Sequence, residues 1–275
     1  MDIDIISDEF RLQQANRYSL WLYLSDNDCS FVILDDTSKL FVGIKKVSHI
    51  SLTKTIELFD ELSAIPFSRV SIALDAQPSL MIPGALFRQE NKRNLLAFTA
   101  EFNEEHEVIE QFIPSLSMVN LFAVAPSFKS FIAPYFPKAN LIHTSSAMLI
   151  AAANLSRLVD SNPTIGIRIT DNNLYVCVFD SGKLILTNYF AIKTCDDIVY
   201  WLLRLCVQFG FQTSKVRIYF QGIDNLLDER IVVLKQHFAK LNLLPFPDMF
   251  QLTPEIKAEA KEIFTDLFYL PICEL

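Results

Sequence analysis

The chain has 275 residues, 51% hydrophobic and 20% charged, with a formal net charge of −8. That supports one large or two smaller domains with well-filled cores. The acidic balance, with no basic cluster denser than Lys45-Lys46 or Lys92-Arg93, argues against a nucleic-acid or acidic-membrane binder, and six glycines are few for Gly-rich phosphate loops.

Residues 1–16 read as an arm or short edge element. Three strands follow at about 17–26, 28–35 and 39–45, rich in Leu, Val, Ile, Phe and Tyr and separated by Asp, Asn, Ser and Thr turns. The spacing of Ile56, Phe59 and Leu62 predicts a helix over 52–64, and Val70–Leu74 a buried strand. Arg88–Arg93 reads as helical into Leu95, Leu96 and Phe98, followed by strands at 108–113 and 119–124. Pro126 opens a short helix closed by Pro134 and Pro137, and 141–143 is a short strand. Ser145 or Ser146 is the expected cap of a helix through Met148 and Leu155.

Strands are then expected at 164–170, 173–180 and 183–190. A helix at 196–209 carries Ile198, Trp201, Leu202, Leu205 and Phe209 on one stripe. A strand at 216–220 precedes a helix at 226–241. A last helix starts at Thr253-Pro254-Glu255, with a cap, a proline in the first turn and an acid beside it, and runs to Leu267.

The two halves repeat. Leu22–Asp28 returns as Ile167–Asn173, 145 residues later, and each copy continues into an apolar run ending in Asp35 or Asp180. Lys39-Leu40 is answered by Lys183-Leu184, and Ser68–Leu74 by Ser214–Phe220 at an offset of 146. Meander, helix, strand and helix, used twice, mean an α/β protein with two mixed sheets.

This layout resembles the actin-like ATPase superfamily of actin, sugar kinases and heat-shock chaperone ATPases. Within it the chain is most similar to the bacterial branch of PilM, FtsA and the cytoplasmic domain of GspL. Leu121–Pro126 through Ala139–Ile142 looks like the strand–helix–strand those proteins place before their second lobe. It also resembles a bacterial family of unknown function with that fold. The resemblance implies a duplicated two-lobed actin-like ATPase (ribonuclease H-like) fold, each lobe a mixed sheet with a three-strand meander and flanking helices. The lobes would be 1–145, with an inserted segment around 75–120, and 146–275.

The superfamily's nucleotide chemistry uses an Asp before a Gly-containing turn in each lobe, and a Gly-Gly beside adenosine. Glycines let backbone N–H groups close on phosphate, and the acids organise Mg2+ and water. Carried over, the first turn is Ser25-Asp26-Asn27-Asp28, without glycine and with two carboxylates. The second is Thr170-Asp171-Asn172-Asn173, also without glycine, and Arg168 stands at the Asp position. The adenosine motif is matched only by Gly222.

These departures imply a pseudo-ATPase: an interaction or scaffold module with no catalytic residue and no resident metal or cofactor, holding a protein partner as PilM and GspL imply. The alternative is a weak Mg-ATP-binding ATPase or small-molecule kinase. Asp26, Asp28 and Asp171 would then contact Mg2+, and Gly222 would face the base of ATP. A third reading is a different α/β fold with an accidental repeat. Asp-Asn and Asn-Asn also make good hairpin turns in any protein.

No P-loop, dinucleotide-binding, zinc or nucleophile-elbow motif occurs. The five scattered cysteines read as free thiols. The acidic Met1–Asp4 start is unlike a signal peptide, and no apolar run approaches membrane-spanning length, so a cytoplasmic protein without membrane insertion is expected. Most of the 23 Phe are expected in the core, with a few free to form a partner surface.

Overall fold

A computed structural model describes residues 3–25, 28–158, 162–223, 227–260 and 265–274. The chain divides into two compact units: residues 1–146 with 248–261 and 273–275, and residues 147–247 with 262–272.

The first unit begins with β1 (Ile3–Ile6), β2 (Tyr18–Leu24), β3 (Cys29–Asp35), β4 (Leu40–Val47), α1 (Leu52–Ser63) and β5 (Arg69–Leu74). Every residue of β3 and all but one of β2 are buried, so both strands read as continuous apolar runs rather than alternating ones. Ser51 caps α1 by accepting from Lys54 N–H. The buried face is Thr55, Leu58, Phe59 and Leu62, rotated slightly from the expected Ile56, Phe59 and Leu62. An excursion follows: β6 (Ser79–Pro83), α2 (Lys92–Ala97), β7 (Glu107–Ile113) and β8 (Met118–Val124). It forms a separate three-stranded sheet, order β6-β8-β7, around Ile82, Leu96, Val108, Val119 and Leu121. α3 (Pro126–Ile132), β9 (Asn140–His143) and the start of α4 (Thr144–Leu158) complete this part. Phe59 meets Tyr135 and Phe136 edge-on at centroid distances of 5.5 and 5.2 Å, locking α1 to the stretch after α3.

The second unit contains β10 (Thr164–Ile169), β11 (Asn173–Asp180), β12 (Lys183–Ala191), α5 (Cys195–Phe209), β13 (Arg217–Gln221), α6 (Glu229–His237) and β14 (Lys240–Leu243). A capping box starts α5, with Thr194 accepting from Asp197 N–H and the Asp197 side chain accepting from Thr194 N–H. Gly210 ends it at φ +70. Near the carboxyl end β15 (Gln251–Leu252), α7 (Pro254–Ala260) and α8 (Thr265–Tyr269) follow.

The strand orders are β1-β4-β3-β2-β5-β9, with β15 beside β4, and β12-β11-β10-β13-β14. Apart from the β1 and β15 additions these are the same order, with α1 and α5 in the same place between strands. The repeat extends to fine geometry. Leu24 pairs with Cys29 and Ile169 with Leu174, at the offset of 145. The bulge between Ile33 and Leu34 recurs between Val178 and Phe179, again 145 residues on.

Two sequence matches shift. Leu40, not Lys39, occupies the place of Lys183, because a four-residue turn after β3 is shortened to Ser181-Gly182 after β11. Both residues of the short turn have positive φ, as a tight hairpin requires. Leu20 pairs with Val70 and Ile165 with Ile218, so the true offset of the fourth strand is 148 rather than 146. A two-residue slip keeps each side chain on the same face, so apolar pattern alone does not resolve it.

Other expectations change as well. The helix expected over 226–241 is α6 up to His237, and Lys240–Leu243 is a strand pairing in parallel with β13. β6 was not expected. The helix into Phe98 is the six-residue α2. The last helix is α7 and α8, and residues 261–264 lie outside the described residues. Ser145 and Ser146 do not precede their helix. They sit in the first turn of α4, and both hydroxyls accept from Asn120 Nδ2, at 3.1 and 3.0 Å. The arm at 1–16 does contain an edge strand, β1.

Candidate functional site

In the first unit, the turn between β2 and β3 closes on itself. Ser25 N–H donates to Asp28 O at 3.0 Å, and Asp28 N–H to Ser25 Oγ at 3.1 Å. Asp28 Oδ1 accepts from His49 N–H at 3.1 Å, so this carboxylate already anchors the segment after β4. Asp26 and Asn27 lie outside the described residues. The second unit's turn has the same bonds. Thr170 N–H donates to Asn173 O at 3.0 Å, and Asn173 N–H to Thr170 Oγ1 at 3.2 Å. Asn172 O accepts from Ile192 N–H at 2.9 Å. The first position of each turn is therefore a hydroxyl for a local reason: it replaces a backbone turn bond.

Arg168, where the superfamily places an acid, is buried and pairs with Asp266 of α8 at 3.1 Å. Its counterpart in the first unit by register is Tyr23, whose hydroxyl donates to Asp75 Oδ2 at 2.7 Å. Thr144 Oγ1 bonds the other oxygen of Asp75. Gly222 follows β13 at φ +87, and a Cβ there would lie 2.3 Å from Ile169 O. Close approach of its own β10 backbone by itself accounts for glycine at this position.

Asp171 lines an open pocket of about 390 Å³. Its wall is built by the segment before α5 and the first turn of α6, with Lys193, Cys195, Asp196, Glu229 and Arg230. Two helix starts thus meet Asp171. Each is already capped from within, α5 by Thr194 and α6 by Asp228, which accepts from Arg230 N–H. Arg230 is forked onto Asp228 through Nε at 2.8 Å and Nη2 at 2.7 Å. This pair holds the Asp228 carboxyl below the usual carboxylate range and raises the guanidinium. Burial, then the Glu229 and Asp228 carboxylates, push the Cys195 thiol up. Three lining carboxylates face two cations, one of them already committed to Asp228. The pocket can hydrogen-bond a small polar molecule, but its field opposes a polyphosphate.

Of the sequence-derived residues, the structure brings Asp171 into a pocket and holds Ser25, Asp28, Thr170 and Asn172 in hairpin bonds. Lys193, Arg230 and the Arg168–Asp266 pair were missed. A visible signal existed for the first, since Thr194-Cys195-Asp196-Asp197 is a capping-box sequence with Lys193 just ahead of it. Among the described residues, no three His, Cys, Asp or Glu side chains converge to hold a metal. No described helix is long and apolar enough to cross a membrane.

The profile of a family described as "Protein of unknown function (DUF3822)" matches residues 7–241. A solved structure from Bacteroides thetaiotaomicron, a protein with actin-like ATPase fold and unknown function, is similar to this chain at 22% identity with a TM-score of 0.73. It covers 85% of this chain and 93% of its own. The PilM–PilN type IV pilus biogenesis complex contains a chain similar at 10% identity with a TM-score of 0.63, covering 93% of this chain and 96% of its own. At these identities the likeness shows the fold, a two-lobed actin-like ATPase fold. Among curated proteins none matches.

Proposed function

The chain belongs to the DUF3822 family, and from that premise we propose that it is a cytoplasmic pseudo-ATPase that serves as an interaction or scaffold module for a protein partner. The observation that carries this reading is Arg168. Where nucleotide chemistry wants a metal-organising acid, this chain has a buried cation neutralised by its own Asp266. Three further features support it. Gly222 is used up by the β10 backbone, Asp28 by His49 N–H, and the pocket beside Asp171 is acid-rich. PilM, similar in fold, is part of a complex with PilN, which supports a protein partner here.

Isothermal titration of the purified chain with ATP and Mg2+ tests the reading. No saturable heat at millimolar nucleotide is the expected result. Saturable binding would overturn it in favour of a weak ATPase or small-molecule kinase. One observation favours that second reading: Asp171 and Lys193 share an open pocket. If it holds, Asp171→Ala weakens nucleotide binding.

A further inference from the structure

The two sheets share one strand order, but their outer edges differ. In the first unit the edge of β4 is covered. β1 pairs with it antiparallel from Gly43 to Lys46, and β15 in parallel at Leu40 and Phe41. Through the shared hairpin registers, Gly43–Lys46 corresponds to Leu186–Tyr189 of β12, since Ile33 pairs with Gly43 and Val178 with Leu186. β12 is the last strand in its sheet, and among the described residues no strand pairs with its outer side.

This edge is long. β12 has nine residues, where the terminal strands β1, β9 and β14 have four each. Folded proteins blunt such edges with lysine, proline or short length. Leu186–Ala191 has no charge and no proline. Ile192 N–H bonds Asn172 O, so by the antiparallel alternation Thr187, Tyr189 and Ala191 turn their N–H and C=O groups outward. Tyr189 N–H is held by the neighbouring Asn188 Oδ1 at 2.9 Å.

The geometry points to β12 as a strand-addition edge occupied by β12 of a second copy of this chain. The duplicated unit identifies the kind of occupant, because the equivalent stretch of β4 carries an antiparallel strand. Two β12 strands related by a two-fold axis pair antiparallel by symmetry. Charge selects between occupants. β4 is matched to β1 by Lys45 against Asp4 at 2.7 Å. The β12 residue in the place of Lys45 is Asn188, which asks for no acid opposite. The uncharged Leu186–Ala191 segment meets that requirement when paired with itself, with no like charges in register.

Sedimentation of the purified full chain over a concentration series tests this. A reversible dimer is expected. Thr187→Pro removes an outward donor without touching the bonds to β11. Asn188→Lys, at an exposed position, restores the charge that β4 carries. Each is expected to weaken the dimer at least about tenfold. Val207→Lys, the same charge on the exposed side of α5, leaves it unchanged. The Asn188→Lys variant keeps the test open if the proline variant does not fold. A monomer at every concentration overturns the proposal, and marks the edge as one for a strand of another protein if for any. A dimer that Asn188→Lys leaves intact, or that Val207→Lys weakens equally, overturns it too.

Discussion

Arg168 and Gly222 are each held by the chain's own groups. Arg168 is 3% exposed, and removing it strands Asp266 without its 3.1 Å partner. Arg168→Ala is therefore expected to destabilise the protein by about 2–4 kcal/mol in urea unfolding, and Arg168→Met by less, because both lose the ion pair but only alanine also leaves the buried volume of the side chain empty. Gly222→Ala meets Ile169 O and a positive φ together. A loss of about 2 kcal/mol or more is expected by the same measurement. The thiols follow burial. Cys29, Cys177 and Cys273 are pushed up to about 12 by desolvation, and Cys195 alone of the five is not buried. Mass spectrometry after brief alkylation of native protein should find Cys195 modified first and the other four only after unfolding.

At the scale of elements, α5 is fixed at its start and on its face. Backbone N–H groups of Lys193 and Thr194, then the Thr194 hydroxyl, hold the Asp197 carboxyl below the usual carboxylate range. A depressed folded-state pKa contributes stability that is complete above the ordinary range and is lost as pH falls through the lower folded value. Thr194→Ala should lower stability by about 1 kcal/mol at neutral pH. Asp197→Asn should remove the part of the acid-side dependence due to this group, read from denaturation midpoints between neutral and acid pH. The α1 face depends on one aromatic ring. Phe59 is fully buried and meets three aromatic neighbours. Phe59→Ala should cost about 3–5 kcal/mol. The elements easiest to read in sequence were those whose burial is one-sided or complete, such as α1, α5, β2 and β3. The hardest were short edge strands. Lys240–Leu243 follows α6 after two residues and keeps apolar spacing that also fits a helix, so only its pairing with β13 makes it a strand.

At the scale of the whole molecule, the duplication is a property of backbone geometry more than of sequence identity. Hairpin register and bulge position coincide at one offset, while side chains at the turns have diverged. On the proposed pseudo-ATPase reading, turns without glycine beside a buried Arg168 are expected to gain no thermal stability from Mg-ATP. Ligand at a hundred times its dissociation constant would raise stability by about 2.7 kcal/mol. A thermal melt with and without nucleotide therefore reads occupancy directly, and an Asp26→Ala, Asp171→Ala double variant should melt alike in both.

The sequence by itself determined the strand meanders, the helix faces, the internal repeat and the absence of phosphate-loop glycines. These depend on local periodicity, turn chemistry and composition, which a chain carries before it folds. Only the tertiary structure decided that Arg168 is neutralised by a residue 98 positions away, that Gly222 is filled by the Ile169 carbonyl, and that Asp171 faces Lys193 and Arg230 across a pocket. It also decided that β4 is covered where, among the described residues, no strand pairs with the outer side of β12. Each is a contact between residues distant in the chain, and local pattern does not encode which distant group arrives.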